Sequence, residues 1–384
     1  MSTIAPTTGA RAMLRLDCDV RILVIVLVLL GIGMSLVASS SSFFAGGVFS
    51  DQFALTRRHV VRVLISLVVL AVAMHVDYRV YRRGAPAILA IGIGLMCLLF
   101  PLGETTRNVD RWLSIPGLGT SVQPSDLARL SLVIFIAWWV SRTGRDLTRF
   151  RSGFLPPALA MLVIAGLIAR TPNYGTALAT LLIAMIMLFA GGARLWHLAS
   201  VAALCTGAAA IRVLSDGYVQ KRVMAYLDQG DSLQEMNWQV YQSLIALGSG
   251  GLFGVGFGDS EQKLSWLPDA YTDFIFSVLG EEAGLAGTLI VSGLFLMLVL
   301  RALKVSRRCG DTFGEMLVIG IGATVFVYAM LNMCVATGLF PVTGLPLPFL
   351  SYGGSALVVN AFAIGILLNV SRGAKRRERG GAAA

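Results

Sequence analysis

The sequence has few charged residues and little that could form a metal site or a disulfide framework. Only 14% of its 384 residues are charged, whereas soluble proteins have about 25%. Its three histidines, His59, His75 and His197, are scattered and lack the spacing of a zinc site. The five cysteines are odd in number and mostly lie in apolar runs. These patterns exclude an ordinary soluble domain and argue against zinc or disulfides.

Signals for nucleotide binding and for secretion are also missing. The glycine-rich run 248–258 lacks the Gly-Lys-Ser/Thr ending of a Walker loop. The first apolar run has no convincing small-residue cleavage site, so we expect it to be retained as a helix. The net charge of +10 would suggest nucleic acid in a soluble chain. Here basic residues in the loops explain it, and we expect no nucleic-acid partner.

Long apolar runs dominate the sequence, of which 56% is hydrophobic. Ten runs of about 17 to 25 residues are each long enough to cross a bilayer as a helix. They lack the alternation of barrel strands, so the spans should be helical. The sequence therefore predicts an all-α integral membrane protein. The predicted spans lie near 21–38, 59–76, 86–102, 125–140, 155–170, 175–191, 196–213, 273–300, 315–336 and 354–371.

The distribution of basic residues predicts the orientation of these spans. Most Lys and Arg residues fall on the side that holds both chain termini, and positive loops are typically cytoplasmic. We therefore expect a cytoplasmic tail over 1–20, a membrane domain over 21–371 and a basic cytoplasmic tail over 372–384.

Three segments on the predicted outer side differ from ordinary connectors. The loop 103–124 is rich in polar residues, and the loop of about 214–272, between spans seven and eight, is far longer than a typical connection. We expect the second loop to fold back in an ordered form. The segment 337–354 is so dense in Pro and Gly that it cannot be helical. It should be irregular backbone lining a cavity.

Asp273 stands where the long outer loop enters the eighth span. An ionisable group at membrane depth is costly and therefore suggests function. Its carboxylate could act as a general base toward a hydroxyl group. The structural alternative is a helix N-cap or a first-turn acid, and the two interpretations are compatible.

Two further carboxylates, Glu281 and Glu282, follow in the same span. On an unbroken helix Glu281 lies about 80° round from Asp273 and Glu282 about 180°. Glu281 could then share a cavity with Asp273, while Glu282 would face a neighbouring helix. The structural alternative for both is pairing with the buried Arg129. Asp126 and Arg129, at i,i+3 in the fourth span, predict an ion pair on one helix face.

Two cation and aromatic neighbours occur in the outer loops, Arg111 with Trp112 and Lys263 with Trp266. Interfacial Trp is commonly an anchor, but a phosphate-bearing lipid would also need such cations. From the residues alone, an enzyme acting on a lipid-linked glycan and a transporter fit equally well.

Four motifs resemble the SEDS family (shape, elongation, division and sporulation), the bacterial FtsW and RodA membrane proteins. They are Gln123-Pro-Ser-Asp-Leu-Ala-Arg129 and the segments Gly256–Pro268, Tyr271–Phe276 and Gly344–Ser355. The likeness covers about residues 20–372 and implies the ten-span SEDS fold. The Gly-Asp-Ser-x-Gln-Lys-Leu run is more similar to the division-type branch than to the elongation-type branch.

The resemblance implies a glycosyltransferase that polymerises lipid II, an undecaprenyl-pyrophosphoryl disaccharide-peptide, on the outer face of the bacterial inner membrane. It places the catalytic aspartate at Asp273, with Arg111, Lys263 or a divalent cation (Mg²⁺ or Mn²⁺) stabilising the leaving group. It also implies a class B penicillin-binding transpeptidase and other divisome membrane proteins as partners. The expected substrate-binding residues are Arg111, Trp112, Gln123, Ser125, Asp126, Arg129, Lys263, Glu281, Glu282, Ser351, Tyr352 and Gly353.

Several positions depart from the family pattern. Tyr271 stands where the family usually has His, and Asn173 where it usually has Asp. These departures question a proton relay through position 271 and a carboxylate role at 173. Three alternatives remain at this point: an elongation-type polymerase, a lipid II flippase that uses the same cavity, and a non-catalytic scaffold for division partners.

Overall fold

The computed structural model describes residues 18–48, 53–102, 104–106, 109–115, 120–144, 146–215, 238–264 and 266–381, with four isolated positions between 217 and 226. Over these residues the chain is a bundle of long helices. In chain order these are α1 (Val20–Val48), α2 (Ala54–His75), α3 (Arg79–Leu102), α4 (Pro124–Thr143), α5 (Leu155–Arg170), α6 (Tyr174–Ala190), α7 (Leu195–Ser215), the short α8 (Trp238–Ser249), α9 (Ile275–Arg308), α10 (Thr312–Ala336) and α11 (Ser355–Gly381).

Each of the ten predicted spans coincides with one long helix, and the prediction of a helical, multi-pass membrane protein is confirmed. Eight helical segments in the described part of the chain are long and apolar enough to cross a membrane. The other two are α6, which is apolar but has only 17 residues, and α4, which carries Asp126 and Arg129. The helix α11 continues to Gly381, beyond the predicted end of its span at 371. The division into a membrane domain and two tails stays a prediction.

Local sequence explains several helix ends. Pro124 occupies the first turn of α4, where its missing N–H costs nothing. The same helix ends at Gly144, whose φ of 62° is the left-handed conformation that glycine adopts freely. The side chain of Asn173 accepts a hydrogen bond from Thr176 N and caps α6. The amide at position 173 therefore has a structural task in this protein.

A small antiparallel sheet, which the sequence did not predict, occupies part of the segment between α3 and α4. Its strands are β1 (Glu104–Thr106), β2 (Val109–Ile115) and β3 (Thr120–Val122), in the order β1-β2-β3. Leu113 pairs with Val122 in the β2–β3 register. Strands this short leave almost no periodic pattern in the sequence, which is why the segment was predicted only as a loop.

Small residues allow the helices of the core to pack closely. A Cβ at Gly320 of α10 would lie 2.5 Å from Val133 Cγ1 of α4 and 2.6 Å from Met187 Sδ of α6. A Cβ at Gly365 of α11 would lie 2.6 Å from Leu70 O of α2. Close approach at glycine is typical of helix packing in membranes. These contacts hold α10 against α4 and α6, and α11 against α2.

The segment 337–354, between α10 and α11, is irregular, as predicted, and Leu345 and residues 347–351 within it are buried. A Cβ at Gly33 of α1 would lie 2.5 Å from Phe349 O, so α1 packs directly against its backbone. Such backbone is tolerated at membrane depth only where other protein groups enclose it.

Candidate active site

Asp273 lies in a tight turn just before α9. The N–H groups of Thr272, Asp273 and Phe274 all donate to Asp269 O, at 3.0, 3.1 and 3.4 Å. Asp269 itself has φ of 55°, an uncommon value for a residue with a side chain. The helix N-cap is Phe274, which makes no side-chain cap bond, so the N-cap interpretation of Asp273 is wrong. The partly buried carboxylate is left at the entrance of the helix.

The irregular segment 337–354 is fastened to the backbone of this turn. Asn332 of α10 donates from Nδ2 to both Asp273 O (2.7 Å) and Leu345 O (2.8 Å). A Cβ at Gly344 would lie 3.4 Å from Asp273 Oδ2. The side chain of Asp273 therefore points toward the segment, and the absence of a side chain at Gly344 leaves space beside the carboxylate.

A second set of contacts joins the two segments further along. Ser351 Oγ donates to Thr272 O and accepts from Leu347 N at 2.8 Å. Tyr352 N donates to Tyr271 O at 2.9 Å. The rings of Tyr271 and Tyr352 meet edge to face with centroids 5.6 Å apart. The predicted site residues Ser351 and Tyr352 are thus brought together with Asp273.

The predicted ion pair of Asp126 and Arg129 is confirmed. Arg129 Nη2 lies 3.5 Å from Asp126 Oδ1, and both side chains are buried. Ser355 at the start of α11 donates to Asp126 Oδ2 at 3.0 Å and accepts from Gln123 N at 3.1 Å. The Arg129 guanidinium also stacks 4.2 Å from the centroid of the Tyr328 ring. The cluster ties α4 and α10 to the beginning of α11.

Glu281 and Glu282 do not pair with Arg129, and the prediction of that partner is wrong. Glu281 Oε1 accepts from Glu261 N at 3.0 Å, and its Oε2 accepts from Ser260 Oγ. Glu281 thus binds the outer loop, and a cavity shared with Asp273 stays a prediction. Glu282 accepts from Lys263 Nζ at 2.8 Å and from Ser39 Oγ of α1.

These partners follow from the way the described part of the outer loop, from residue 238 onward, folds back onto α9, as predicted; most of the loop before residue 238 lies outside the described residues. Val255 N donates to Glu281 O at 2.9 Å, and Leu285 N donates to Gly251 O at 2.9 Å. The assumed unbroken helix is interrupted at Gly284, with φ of 65° and ψ of −165°. That break lies beyond both glutamates; the angles from Asp273 do not apply because Asp273 lies in the turn before α9, which begins at Ile275.

The two cations predicted to hold a leaving group both have structural contacts. The Lys263 ammonium donates to Ser39 Oγ (2.7 Å), Gly258 O (2.6 Å) and Glu282 Oε1 (2.8 Å), which uses its three N–H groups. Arg111 donates to the carbonyls of Thr171 (3.3 Å) and Pro172 (2.5 Å), at the turn between α5 and α6. Substrate contact by Lys263 would require its buried ion pair to open.

The remaining predicted residues are dispersed. Ser125 is buried, and its hydroxyl has no partner in the described part of the protein. Trp112 is partly buried in β2, and Gly353 lies in the last turn before α11. Substrate contacts by Ser125, Trp112 and Gly353 stay predictions.

No group of three or more His, Cys, Asp or Glu side chains that could hold a metal ion occurs among the residues described. Mg²⁺ often binds through one or two carboxylates together with substrate phosphates. A divalent ion shared by Asp273 and a phosphorylated substrate therefore stays a prediction.

Two residues beside Tyr352 were missed from the sequence. The Arg62 guanidinium of α2 stacks 4.7 Å from the centroid of the Tyr352 ring. The His59 ring lies 5.6 Å from the same ring. The signal was available, because Arg62 is an ionisable residue inside a predicted span and such residues suggest function.

The fold and site define a class: multi-pass helical membrane proteins with a carboxylate at a helix entrance, enclosed by an irregular segment between the last two spans. Residues 20–376 match the family model FtsW/RodA/SpoVE, described as cell cycle protein. The chain belongs to this family, and the resemblance seen in the motifs is confirmed.

Curated relatives cover most of the chain. The probable peptidoglycan glycosyltransferase FtsW of Trichlorobacter lovleyi is 38% identical over 342 residues, which are 88% of this chain and 89% of the relative. Stage V sporulation protein E of Bacillus subtilis is 36% identical over 340 residues, 88% of this chain and 92% of the relative.

Solved structures share the fold. A chain from a structure described as showing coordination of polymerization and crosslinking by a peptidoglycan synthase complex superposes with a TM-score of 0.75 at 25% identity, covering 93% of this chain and 98% of that chain. The rod shape determining protein RodA of Thermus thermophilus has a TM-score of 0.69 at 24% identity, covering 96% of this chain and 98% of its own.

Proposed function

We propose that this protein is a division-type peptidoglycan glycosyltransferase that polymerises lipid II into glycan strands for the septal wall. The observation that carries the proposal is Asp273, partly buried at the entrance of α9, whose main-chain carbonyl Asn332 holds against the irregular segment 337–354. The glycosyltransferase names of the curated relatives give the reaction class.

Asp273 is the general base of the proposed reaction. Its carboxylate accepts the proton of the acceptor sugar's 4-hydroxyl as that oxygen attacks the anomeric carbon of the donor. The donor C–O bond breaks with inversion, and its electron pair leaves with the lipid diphosphate. Gly344 leaves space next to Asp273 Oδ2, and Asn332 fixes the backbone on both sides of that space. Such fixed geometry lowers the entropic part of the barrier.

The proposed location is the bacterial inner membrane, with both termini in the cytoplasm and Asp273 at the outer face. The bias of basic residues supports this orientation. The proposed partners are a class B penicillin-binding transpeptidase and other divisome membrane proteins. The similar chain from a complex that couples polymerization to crosslinking supports the first of these. A divalent cation, Mg²⁺ or Mn²⁺, is proposed as an aid to leaving-group departure.

Polymerisation of labelled lipid II by the purified protein, with and without a cognate transpeptidase, tests the proposal. The Asp273→Asn variant keeps the shape of the side chain but removes the base, and should give no glycan ladder. Glu261→Gln removes an exposed carboxylate from the outer loop and should polymerise like wild type. Glycan ladders made by the Asp273→Asn variant would refute the role of Asp273 as general base. Movement of lipid II across vesicles, without polymer in any arm, would favour a flippase.

A further inference from the structure

Among the residues described, Arg62 is a cation at membrane depth that has no anionic partner. It lies about 12 Å from the N-terminal end of α2 and is partly buried. Its guanidinium stacks on the Tyr352 ring, and among the residues described it makes no hydrogen bond or ion pair. Arg129, in contrast, has the carboxylate of Asp126. A desolvated charge is costly unless an opposite charge accompanies it.

His59, one turn earlier on α2, is a second group without a hydrogen-bond partner among the residues described. Its side chain is 1% exposed, and neither ring nitrogen has a hydrogen-bond partner in the described part of the protein. Its ring lies 5.6 Å from that of Tyr352, on which Arg62 also stacks. Buried polar groups in native proteins are almost always hydrogen-bonded. An imidazole and a guanidinium that both lack hydrogen-bond partners in the described part of the chain suit a ligand with acceptor oxygens.

The backbone just before α11 lies beside the Arg62 guanidinium. A Cβ at Gly354 would lie 3.5 Å from Arg62 Cζ, so the guanidinium rests on backbone that carries no side chain. The helix starts at the next residue, Ser355, and a helix N-terminus favours anions. The carboxylate that contacts Ser355, Asp126 of α4, is itself paired with Arg129. The local charge toward a ligand is therefore positive.

We propose that Arg62, His59 and the N-terminus of α11 bind the diphosphate group of the polyprenyl-linked donor. This inference rests on the proposed function. Tyr352 N donates to Tyr271 O, two residues before Asp273, so this anion site adjoins the catalytic turn. The guanidinium can donate to two phosphate oxygens at once. As the anomeric C–O bond breaks, its electron pair passes to the diphosphate oxygen, and Arg62 stabilises that charge.

Binding by the full chain in detergent, measured by native mass spectrometry, tests the site without requiring turnover. The probes are undecaprenyl diphosphate, undecaprenyl phosphate, phosphatidylglycerol and inorganic pyrophosphate. Arg62→Gln should weaken binding of undecaprenyl diphosphate by at least about tenfold, the usual scale for a hydrogen bond to a charged group. Arg62→Lys keeps the charge but loses the bidentate fork, and should give an intermediate loss.

Two controls separate this site from general effects. Arg142→Gln removes another stacked guanidinium, 5.4 Å from the Trp138 ring at the C-terminal end of α4, and should leave binding unchanged. Asp273→Asn should retain binding of the diphosphate while losing polymerisation. A folded Arg62→Gln variant, judged by an unchanged melting temperature, that binds the diphosphate like wild type would overturn the inference.

Binding of the other probes identifies the source of the phosphate group. Equal, Arg62-dependent binding of phosphatidylglycerol would show a phospholipid headgroup site and overturn the donor assignment. Tight, Arg62-dependent binding of pyrophosphate alone would overturn the lipid-linked source. If wild type makes no polymer but binds the polyprenyl diphosphate through Arg62, the binding inference stands and the proposed polymerase activity fails.

Discussion

Asn332 on α10 holds the backbone of Asp273 by a 2.7 Å hydrogen bond from Nδ2 to the Asp273 carbonyl oxygen. The same nitrogen donates to Leu345 O at 2.8 Å. One side chain, 1% exposed, therefore sets the distance between the turn that carries the carboxylate and the irregular segment that faces it. The position of the proposed base depends on a residue that is 59 positions away in the chain.

Replacing Asn332 by Leu should reduce lipid II polymerisation strongly. The change leaves the partly buried carbonyl of Asp273 and the buried carbonyl of Leu345 without this donor, at a cost of about 1–3 kcal/mol for each unsatisfied group. It also frees the turn that carries Asp273. Asn369→Leu is the matched control, because Asn369 binds Met74 O (2.9 Å) and Tyr78 N (3.0 Å) between α2 and α11. Both variants should melt earlier than wild type, but only Asn332→Leu should lose activity per folded molecule. Equal activity losses would contradict this role.

Gly344→Ala should lower the rate constant of polymerisation more than it lowers stability. Gly344 has φ of 66°, where an alanine costs on the order of 1 kcal/mol, and its Cβ would lie 3.4 Å from Asp273 Oδ2. Gly338→Ala introduces the same backbone strain, with φ of 71°, but its Cβ would meet Val240 and Leu244. Rates measured at saturating lipid II should fall only for Gly344→Ala. An equal fall in the rates of both variants would show that backbone strain alone causes the effect.

Local patterns in the sequence determine much of this architecture. Runs of apolar residues long enough to cross a bilayer predict the ten long helices, because backbone N–H and C=O groups in lipid must hydrogen-bond within the segment. The Pro and Gly density of 337–354 predicts irregular backbone for the same kind of local reason. The i,i+3 spacing of Asp126 and Arg129 places them on one helix face, and their pairing needed no knowledge of other elements.

Contacts between segments that are far apart in the sequence could not be predicted from such local patterns. The partners of Glu281 and Glu282 come from α1 and from the outer loop, which folds back onto α9. Asp273 lies before the first residue of α9, so a helical angle does not relate it to the two glutamates. The sequence also does not show which cation has an anionic partner in the folded protein. Lys263 and Arg62 both lie near apolar sequence, but the fold brings Glu282 to Lys263, whereas the Arg62 guanidinium contacts the Tyr352 ring.

The buried pair of Lys263 and Glu282 should be important for stability. Lys263→Met would leave the Glu282 carboxylate, 3% exposed, without its cation, which typically costs about 3–5 kcal/mol. The double variant Lys263→Met/Glu282→Leu removes both charges and should recover much of that loss. Thermal unfolding of Lys263→Met, Glu282→Leu and the double variant in detergent gives the coupling free energy between the two side chains. Additive losses would show that the pair contributes no coupling energy.

The break in α9 at Gly284 should control whether the outer loop stays attached. A Cβ at Gly284 would lie 2.4 Å from Gly254 N and 2.6 Å from Leu252 O, and the residue has φ of 65°. Alanine must therefore push the 250–258 run away from α9. Gly293→Ala, in the same helix with open space around it, is the matched control. Hydrogen exchange should rise in 250–258 for Gly284→Ala only, together with loss of polymerisation, because the loop leads directly into the turn of Asp273. Unchanged exchange in 250–258 would show that the loop is held by contacts other than this backbone junction.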